Sequence, residues 1–359
     1  MGYDIYTACA VQSEVFATRE RSDIRKNLKR CLELIDLAPE AALTAKDSYK
    51  AESWAPVKLI SFNEFFIQGH DATWSFEYYM KEVVVEVPGE ETELLSKKAK
   101  EYGIYISGCV LEYDPEWKDY FFNTHFIIDP KGEVIHKYRK IATATHWELS
   151  VSPHDVLEKY INKYGNDLET FLPVTKTDIG KIGTITCMDG HFPETARALG
   201  VRGAEIIIHP NMAGTLMSPP MDIWQIENRM RAWENICYVI APSRGQLLEA
   251  HRPKCFVPGK AMIVNYNGVV IGYADYPGEA IVSAEINVEE LRRRRTDPSR
   301  NFISQLRNEI FHKIYENSLY PPNQFLDQSP KSRISKGSKD ILKKLFDEGI
   351  FEKPISIRK

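Results

Sequence analysis

Three short runs of this 359-residue chain place a reactive side chain at the end of an apolar segment. Residues 181–194, Lys-Ile-Gly-Thr-Ile-Thr-Cys-Met-Asp-Gly-His-Phe-Pro-Glu, carry an apolar strand into Cys187, then a turn, then the Pro-Glu that opens a helix. A thiol at such a corner stands at the carboxyl edge of a sheet with backbone N–H groups beside it, which suits a nucleophile. The same residue also reads as a small buried hydrophobe. Glu64 follows an apolar run at 57–62 and lies among Phe62, Phe65 and Phe66. A carboxylate there is either turned to water or held as a partly desolvated base. Lys140 ends the run Lys-Tyr-Arg-Lys after a hairpin, where a cation is ordinarily solvated and carries no signal by itself. His191, four residues past Cys187, offers a Cys-His dyad as the rival arrangement. His251 and Cys255 have i, i+4 spacing, but Pro253 interrupts a helix between them and no third ligand accompanies them. No metal site is expected.

The elements that must position these groups alternate in type. Residues 5–11 read as a buried strand, and residues 23–37 as a helix with Ile24, Leu28, Cys31, Leu32 and Ile35 on one face. A polar stretch, 39–56, leads to the strand before Glu64, which a sheet buries on both faces. Residues 90–102 have helical periodicity, with Gly103 where a C-cap glycine belongs. Strands at 104–111 and 123–128 follow, the second turning through Asp129-Pro-Lys-Gly132 into 133–138. Ser152, Pro153 and Asp155 mark the start of a helix over 153–164. A hairpin over 175–186 delivers Cys187. Helices at 194–201 and 221–237 and strands at 205–209, 238–242, 261–266, 269–274 and 280–286 complete the pattern, with Asn267-Gly268 as a hairpin turn. Helices covering sheets of mixed parallel and antiparallel pairing are the expected architecture, an α/β fold.

Composition narrows the function classes. A net charge of −4 gives no reason to expect nucleic acid or an anionic membrane as partner. No apolar run approaches the ~20 residues of a membrane span, and the N-terminus lacks the basic and apolar regions of a signal peptide, so a cytoplasmic location is expected. Six cysteines without CxxC pairs suit reduced thiols. Arg292 to Arg295 read as complements of a helix dipole or as inter-subunit ion pairs. The tail from Ile314 onward reads as an arm over a neighbouring subunit, with periodicity only at 338–346.

Taken together, Phe-Asn-Glu64, Lys-Tyr-Arg-Lys140 and Thr-Cys187-Met-Asp-Gly-His-Phe-Pro-Glu194 resemble the Glu-Lys-Cys motifs of the carbon-nitrogen hydrolase (nitrilase) superfamily, from residue 3 to about 290. The resemblance implies a nitrilase-like α-β-β-α sandwich with mixed sheets, completed as α-β-β-α-α-β-β-α across a subunit interface, without cofactor or metal. It implies Glu64 as general base, Lys140 as electrophilic stabiliser and Cys187 as nucleophile. Cys-Met-Asp-Gly followed by Pro-Glu is most similar to the aliphatic amidase and formamidase branch, which also carries a second glutamate eight residues after the lysine; Glu148 stands there. True nitrilases have Trp-Glu after the cysteine, where this chain has Met188-Asp189, and Ala142 departs from the histidine of N-carbamoyl amino acid hydrolases. Another departure from the amidases is the longer segment from Lys140 to Cys187, including residues 150–172 as an insertion over the active-site mouth or against a neighbouring subunit. Met188, Phe65, Trp147, His191 and Asn211 are expected around the substrate or oxyanion. The implied organisation is a catalytic domain over 1–290 and an oligomerisation arm over 291–359. The implied reaction is hydrolysis of a small primary amide by a homo-oligomer built from dimers. A nitrilase or ureido amidohydrolase of the same superfamily is the nearest alternative, and a catalytically silent binding protein the alternative of another class.

Overall fold

The computed structural model describes residues 3–49, 55–70, 74–144, 148–212, 222–249, 259–327 and 336–354. Its first half runs β1 (Ile5–Gln12), β2 (Val15–Phe16), α1 (Arg21–Tyr49), β3 (Val57–Glu64), α2 (Phe76–Tyr78) with a following π turn, α3 (Glu90–Tyr102), β4 (Tyr105–Glu112), β5 (Phe122–Ile128) and β6 (Val134–Arg139). After the insertion, with a 3-10 turn (Pro153–Val156), α4 (Leu157–Tyr164) and α5 (Leu168–Phe171), come β7 (Val174–Thr177) and β8 (Gly180–Thr184). The chain continues through α6 (Pro193–Val201), β9 (Ile206–Ile208), α7 (Ile223–Asn235), β10 (Tyr238–Ala241), β11 (Leu247–Leu248), β12 (Met262–Val264), β13 (Val270–Tyr273), β14 (Ala280–Asn287), α8 (Val288–Arg295), α9 (Asn308–Phe311) and α10 (Lys336–Asp347).

Two six-stranded sheets result, ordered β14-β1-β3-β4-β5-β6 and β13-β12-β10-β9-β8-β7. In each, three central strands are parallel and antiparallel strands flank them. Alternation along β1 shows why the strands are apolar throughout: Tyr6, Ala8 and Ala10 enter the core between the sheets, while Cys9 and Val11 face α1. Ile182, Ile206, Ile208 and Ile240 of the second sheet meet Ala8, Leu59 and Ile127 of the first in that central layer. Helices α1 and α3 cover the outside of one sheet, and α6 and α7 cover the other through Leu199, Trp224 and Ala232. The chain is thus an α-β-β-α sandwich with mixed sheets. No helix among the described residues is long and apolar enough to cross a membrane.

Some local expectations are corrected. Helix α1 does not stop near Leu37 but continues past Pro39 to Tyr49, so most of the expected polar connection is helical. The Ala, Leu, Glu and Lys residues after Pro39 are strong helix formers, and their summed preference outweighs one missing backbone hydrogen bond. The insertion starts as a 3-10 turn in which the Ser152 hydroxyl accepts from the Asp155 N–H and the Asp155 carboxylate accepts from the Ser152 N–H. Two arginines of the run at the end of α8 are engaged within the chain. Arg292 pairs with Glu205, and Arg295 donates to the carbonyls of Ile236, Gly203 and Ala204. The division expected at residue 290 falls inside α8, whose Val288 and Leu291 belong to the central core. Part of the tail also lies on its own chain, where the N–H groups of Asn323 and Phe325 donate to the carbonyls of His154 and Asp155 in the insertion.

Candidate active site

Strand direction gathers the reactive side chains. Strands β3 and β4 are parallel, and β6 runs the same way because two antiparallel steps separate it from β4. Glu64, the last residue of β3, and Lys140, the residue after β6, therefore reach one edge of the first sheet. Cys187 comes from the matching edge of the second sheet, three residues past β8. Its φ of +50° is strained for a residue with a side chain. The corner is held on both sides: the Cys187 N–H donates to Pro210 O at 2.8 Å, and His209 Nε2 donates to Cys187 O at 2.9 Å. Behind it, a Cβ on Gly190 would lie 1.9 Å from Glu227 Oε1 and 2.3 Å from His209 Cε1, so the Asp-Gly step admits only glycine.

Lys140 is the electrostatic centre, with 1% of its side chain exposed. Its Nζ donates to Glu64 Oε1 at 3.0 Å and to Glu148 Oε2 at 2.7 Å. Glu64 also accepts from Asn123 Nδ2 at 2.8 Å and from the Met212 N–H at 3.1 Å. Glu148 accepts from the Ala144 N–H at 2.7 Å and from Asn123 Nδ2 at 2.8 Å. Burial works against the Lys140 charge, but Cys187, Glu148 and Glu64 hold it well above the ordinary lysine value. Burial likewise opposes the Glu148 charge, yet Lys140 and the Ala144 N–H bring that carboxyl down to about 2. Burial and then the Glu64 charge, opposed by Lys140, push the Cys187 thiol well above the ordinary thiol range. A thiol shifted in this direction would need a base to remove its proton before it could act as a nucleophile.

Asp189 joins the two sides. Its carboxylate accepts from Tyr138 Oη at 2.7 Å, from the Ala142 N–H at 2.7 Å and from the Thr186 N–H at 3.0 Å. It thereby fastens the segments flanking Lys140 to the strand that delivers Cys187. Burial raises its carboxyl to about 6.

The remaining expected residues are distributed differently. Met188 lies in the 3-10 turn (Cys187–His191), second from its start, where backbone N–H groups lack partners within the helix. His191 Nδ1 donates to Glu227 Oε2 at 2.6 Å, and that hydrogen bond raises its pKa; its contact is with Glu227 rather than the thiol. Phe65 is fully buried with φ +56° and stacks on His70 at 5.3 Å. Asn211 meets Glu64 through its backbone, accepting the Glu64 N–H at 3.3 Å, while its Oδ1 accepts from Ser243 Oγ at 2.9 Å. Trp147, His251 and Cys255 lie outside the described residues. Sequence reasoning missed Asn123, although an asparagine inside an apolar strand is itself a signal, since strands are poor in that residue unless it has buried partners.

The carbon-nitrogen hydrolase family model matches residues 7–296. This chain belongs to the carbon-nitrogen hydrolase family. Curated relatives of this hydrolase include formamidases from Bacillus cereus and Bacillus anthracis, each 29% identical over 286 residues, spanning 79% of this chain and 74% of the relative. Saccharomyces cerevisiae Nit3, a member of branch 10 of the nitrilase superfamily, superposes with a TM-score of 0.63 at 24% identity, covering 83% of this chain and 95% of its own. A mutant of the amidase from Nesterenkonia sp. AN1, showing covalent addition of the acetamide moiety of fluoroacetamide at the active site cysteine, has a TM-score of 0.62 at 17% identity, with 86% and 96% covered. Both structures share the sandwich fold with this chain.

Proposed function

We propose that this hydrolase converts a small primary amide to its carboxylate and ammonia through a thioester on Cys187. The observation that carries the reading is the buried Lys140 ammonium held between Glu64 and Glu148, with the Cys187 thiol close enough to feel all three charges. An amide is a poor electrophile, so its hydrolysis needs a nucleophile, a proton donor for the leaving nitrogen and a stabilised oxyanion. Glu64 takes the proton from the Cys187 sulfur as the sulfur bonds to the carbonyl carbon. The carbonyl oxygen, now negative, is held by Lys140 Nζ and the Met188 N–H. Glu64 returns the proton to nitrogen, the C–N bond breaks and ammonia leaves. Glu64 then deprotonates a water molecule that attacks the thioester; the C–S bond breaks, and the thiol is restored with the carboxylate as product. Glu148 orients Lys140 and accepts from the substrate NH₂ group. The formamidase relatives support an amide of short acyl chain.

We read the assembly as a homo-oligomer built from dimers. Ile223, Ile226, Met230 and Trp233 recur along α7 as an exposed apolar stripe, and such a stripe suits a second copy of the helix layer. A cytoplasmic location is supported by five free thiols among the described residues.

An ammonia-release screen over short amides, ureido acids and nitriles tests the reaction, sharpened by one matched pair. An amide offers two N–H donors to the carboxylates and a nitrile offers none, so the nitrile should be slower by about a hundredfold or more. A nitrile turned over as fast as its amide overturns the amidase reading.

A further inference from the structure

Asn123 stands between Glu64, Glu148 and Lys140, and neither the motifs nor the reaction scheme use it. It is fully buried near the start of β5, and its backbone carbonyl accepts the Lys140 N–H at 2.9 Å. Its single side-chain nitrogen donates to both glutamates, at 2.8 Å to Glu64 Oε1 and 2.8 Å to Glu148 Oε1. An amide nitrogen has two protons, so each carboxylate takes one. The other end of the amide is as specific. Cys109 Sγ donates to Asn123 Oδ1 at 3.0 Å. Cys109 is fully buried on β4, opposite Glu64 in the strand register, and its carbonyl accepts the Phe65 N–H at 2.8 Å.

The two ends of an asparagine amide are nearly the same shape, so shape alone does not orient it. Charge does. Turned over, the amide would set its oxygen between two carboxylates and leave the Cys109 proton facing an NH₂ group. Burial and the neighbouring Glu64 push the Cys109 thiol well above its usual range, so it remains a donor across the working pH.

We infer that Asn123 is a positioning residue that divides Glu64 from Glu148 on either side of Lys140, and that the Cys109 thiol fixes the direction of its amide. Without it, Glu64 Oε1 and Glu148 Oε1 would lose the amide that holds them apart, and Glu64 would keep, among the described residues, only the Lys140 ammonium and the Met212 N–H. Glu64 would then be free to take up the Lys140 proton that the oxyanion needs. The role is distinct from that of Cys187: Cys109 never meets the substrate and its proton never moves.

The inference rests on Glu64 acting as the base for Cys187. The test is therefore run in two ways, by amide turnover and by pH-dependent alkylation of Cys187 with iodoacetamide, located by peptide mass. If the wild type turns over no amide, the proposed reaction fails while the alkylation profile still tests Asn123. Cys109→Ser keeps a donor at the same place, so kcat should stay within about threefold of wild type, whereas Cys109→Ala should lose about tenfold to a hundredfold with KM little changed, the range for one buried hydrogen bond to a charged network. Asn123→Asp keeps the shape but can ionise beside Glu64 and Glu148. Its added negative charge disfavours the thiolate, so Cys187 alkylation should fall further behind wild type as the pH rises. Equal kcat for Cys109→Ala and Cys109→Ser overturns the role of the thiol. An Asn123→Asp profile parallel to wild type at all pH values overturns the role of the amide. The Cys109 pair replaces one small side chain by another, so it stays informative even if Asn123→Asp does not fold.

Discussion

Arg139 and Lys140 are consecutive, both cationic, both buried and both paired with two acids, yet they face different parts of the molecule. Arg139 pairs with Glu112 and Asp114. Its guanidinium lies 4.0 Å from the Phe122 ring centroid and about 6 Å from those of Tyr160 and Tyr164 on α4. Lys140 pairs with Glu64 and Glu148 and faces Cys187. The planar fork of arginine is filled by acids and rings, which fastens the insertion to the end of β6. An ammonium has three donors, and two carboxylates take two of them among the described residues. The third is the donor that the proposed reaction gives to the oxyanion. One pair of acids around a cation thus builds structure, and the next builds a site, because of the donor each cation leaves unspent.

The largest effect should follow from removing that spare donor. Lys140→Met is expected to lower kcat/KM by about 10³-fold or more, as are Cys187→Ala and Glu64→Gln, and the losses should not add because the three act as one unit. Lys140→Arg is the sharper variant: it keeps the charge but brings a larger, planar fork into a cavity shaped for a point charge, and it should fail to restore activity. Steady-state kinetics on the best amide from the screen, with circular dichroism to verify folding, decides. Near-normal turnover by Glu64→Gln together with loss in His191→Ala would move the base to His191.

Much of this arrangement was legible in the sequence, and the misses have physical reasons. Glu64, Lys140 and Cys187 were singled out by their joint resemblance to the Glu-Lys-Cys motifs, and local pattern set each of them at or just past the end of a strand. Helix α1 past Pro39 was misread because proline is a local stop signal, whereas the alanines and leucine after it act as a sum. Asn123 escaped because its partners are 59 and 25 residues away, and no local pattern encodes them. Its only trace was a polar residue in a strand with no reason to be polar. The place of the insertion was equally hidden: Tyr160 and Phe122 meet only once the chain has folded.

The next effect concerns Glu148. Its carboxyl is held at about 2, below its ordinary value, so its contribution to stability is present above the unfolded value near 4.5 and is lost as the pH falls toward 2. Glu148→Gln should flatten that part of the acid-unfolding curve. It should also lower kcat by about a hundredfold, since Lys140 loses one of the two acids that aim it. Thermal unfolding from pH 6 down to pH 2.5 checks the first, and an unchanged acid limb in the variant would show that Glu148 is not the group held down.

The smallest effect on catalysis should come from Arg139, and it is where the comparison is most easily broken. Arg139→Met leaves Glu112, 1% exposed, with Lys137 and Thr124 but without its buried guanidinium. Stranding a buried acid typically costs about 3 kcal/mol or more. Adding Glu112→Gln removes the stranded charge, so the double variant should regain part of the lost stability, because a buried ion pair contributes less than breaking it costs. Throughout, kcat should stay within about tenfold of wild type, since Lys140 is anchored separately by Asn123 O, Glu64 and Glu148. Urea unfolding of the two variants beside their kcat values makes the measurement. If Arg139→Met remained folded yet lost as much activity as Lys140→Met, then Arg139 would be setting the position of its neighbour, and the division between a structural cation and a chemical one would not hold.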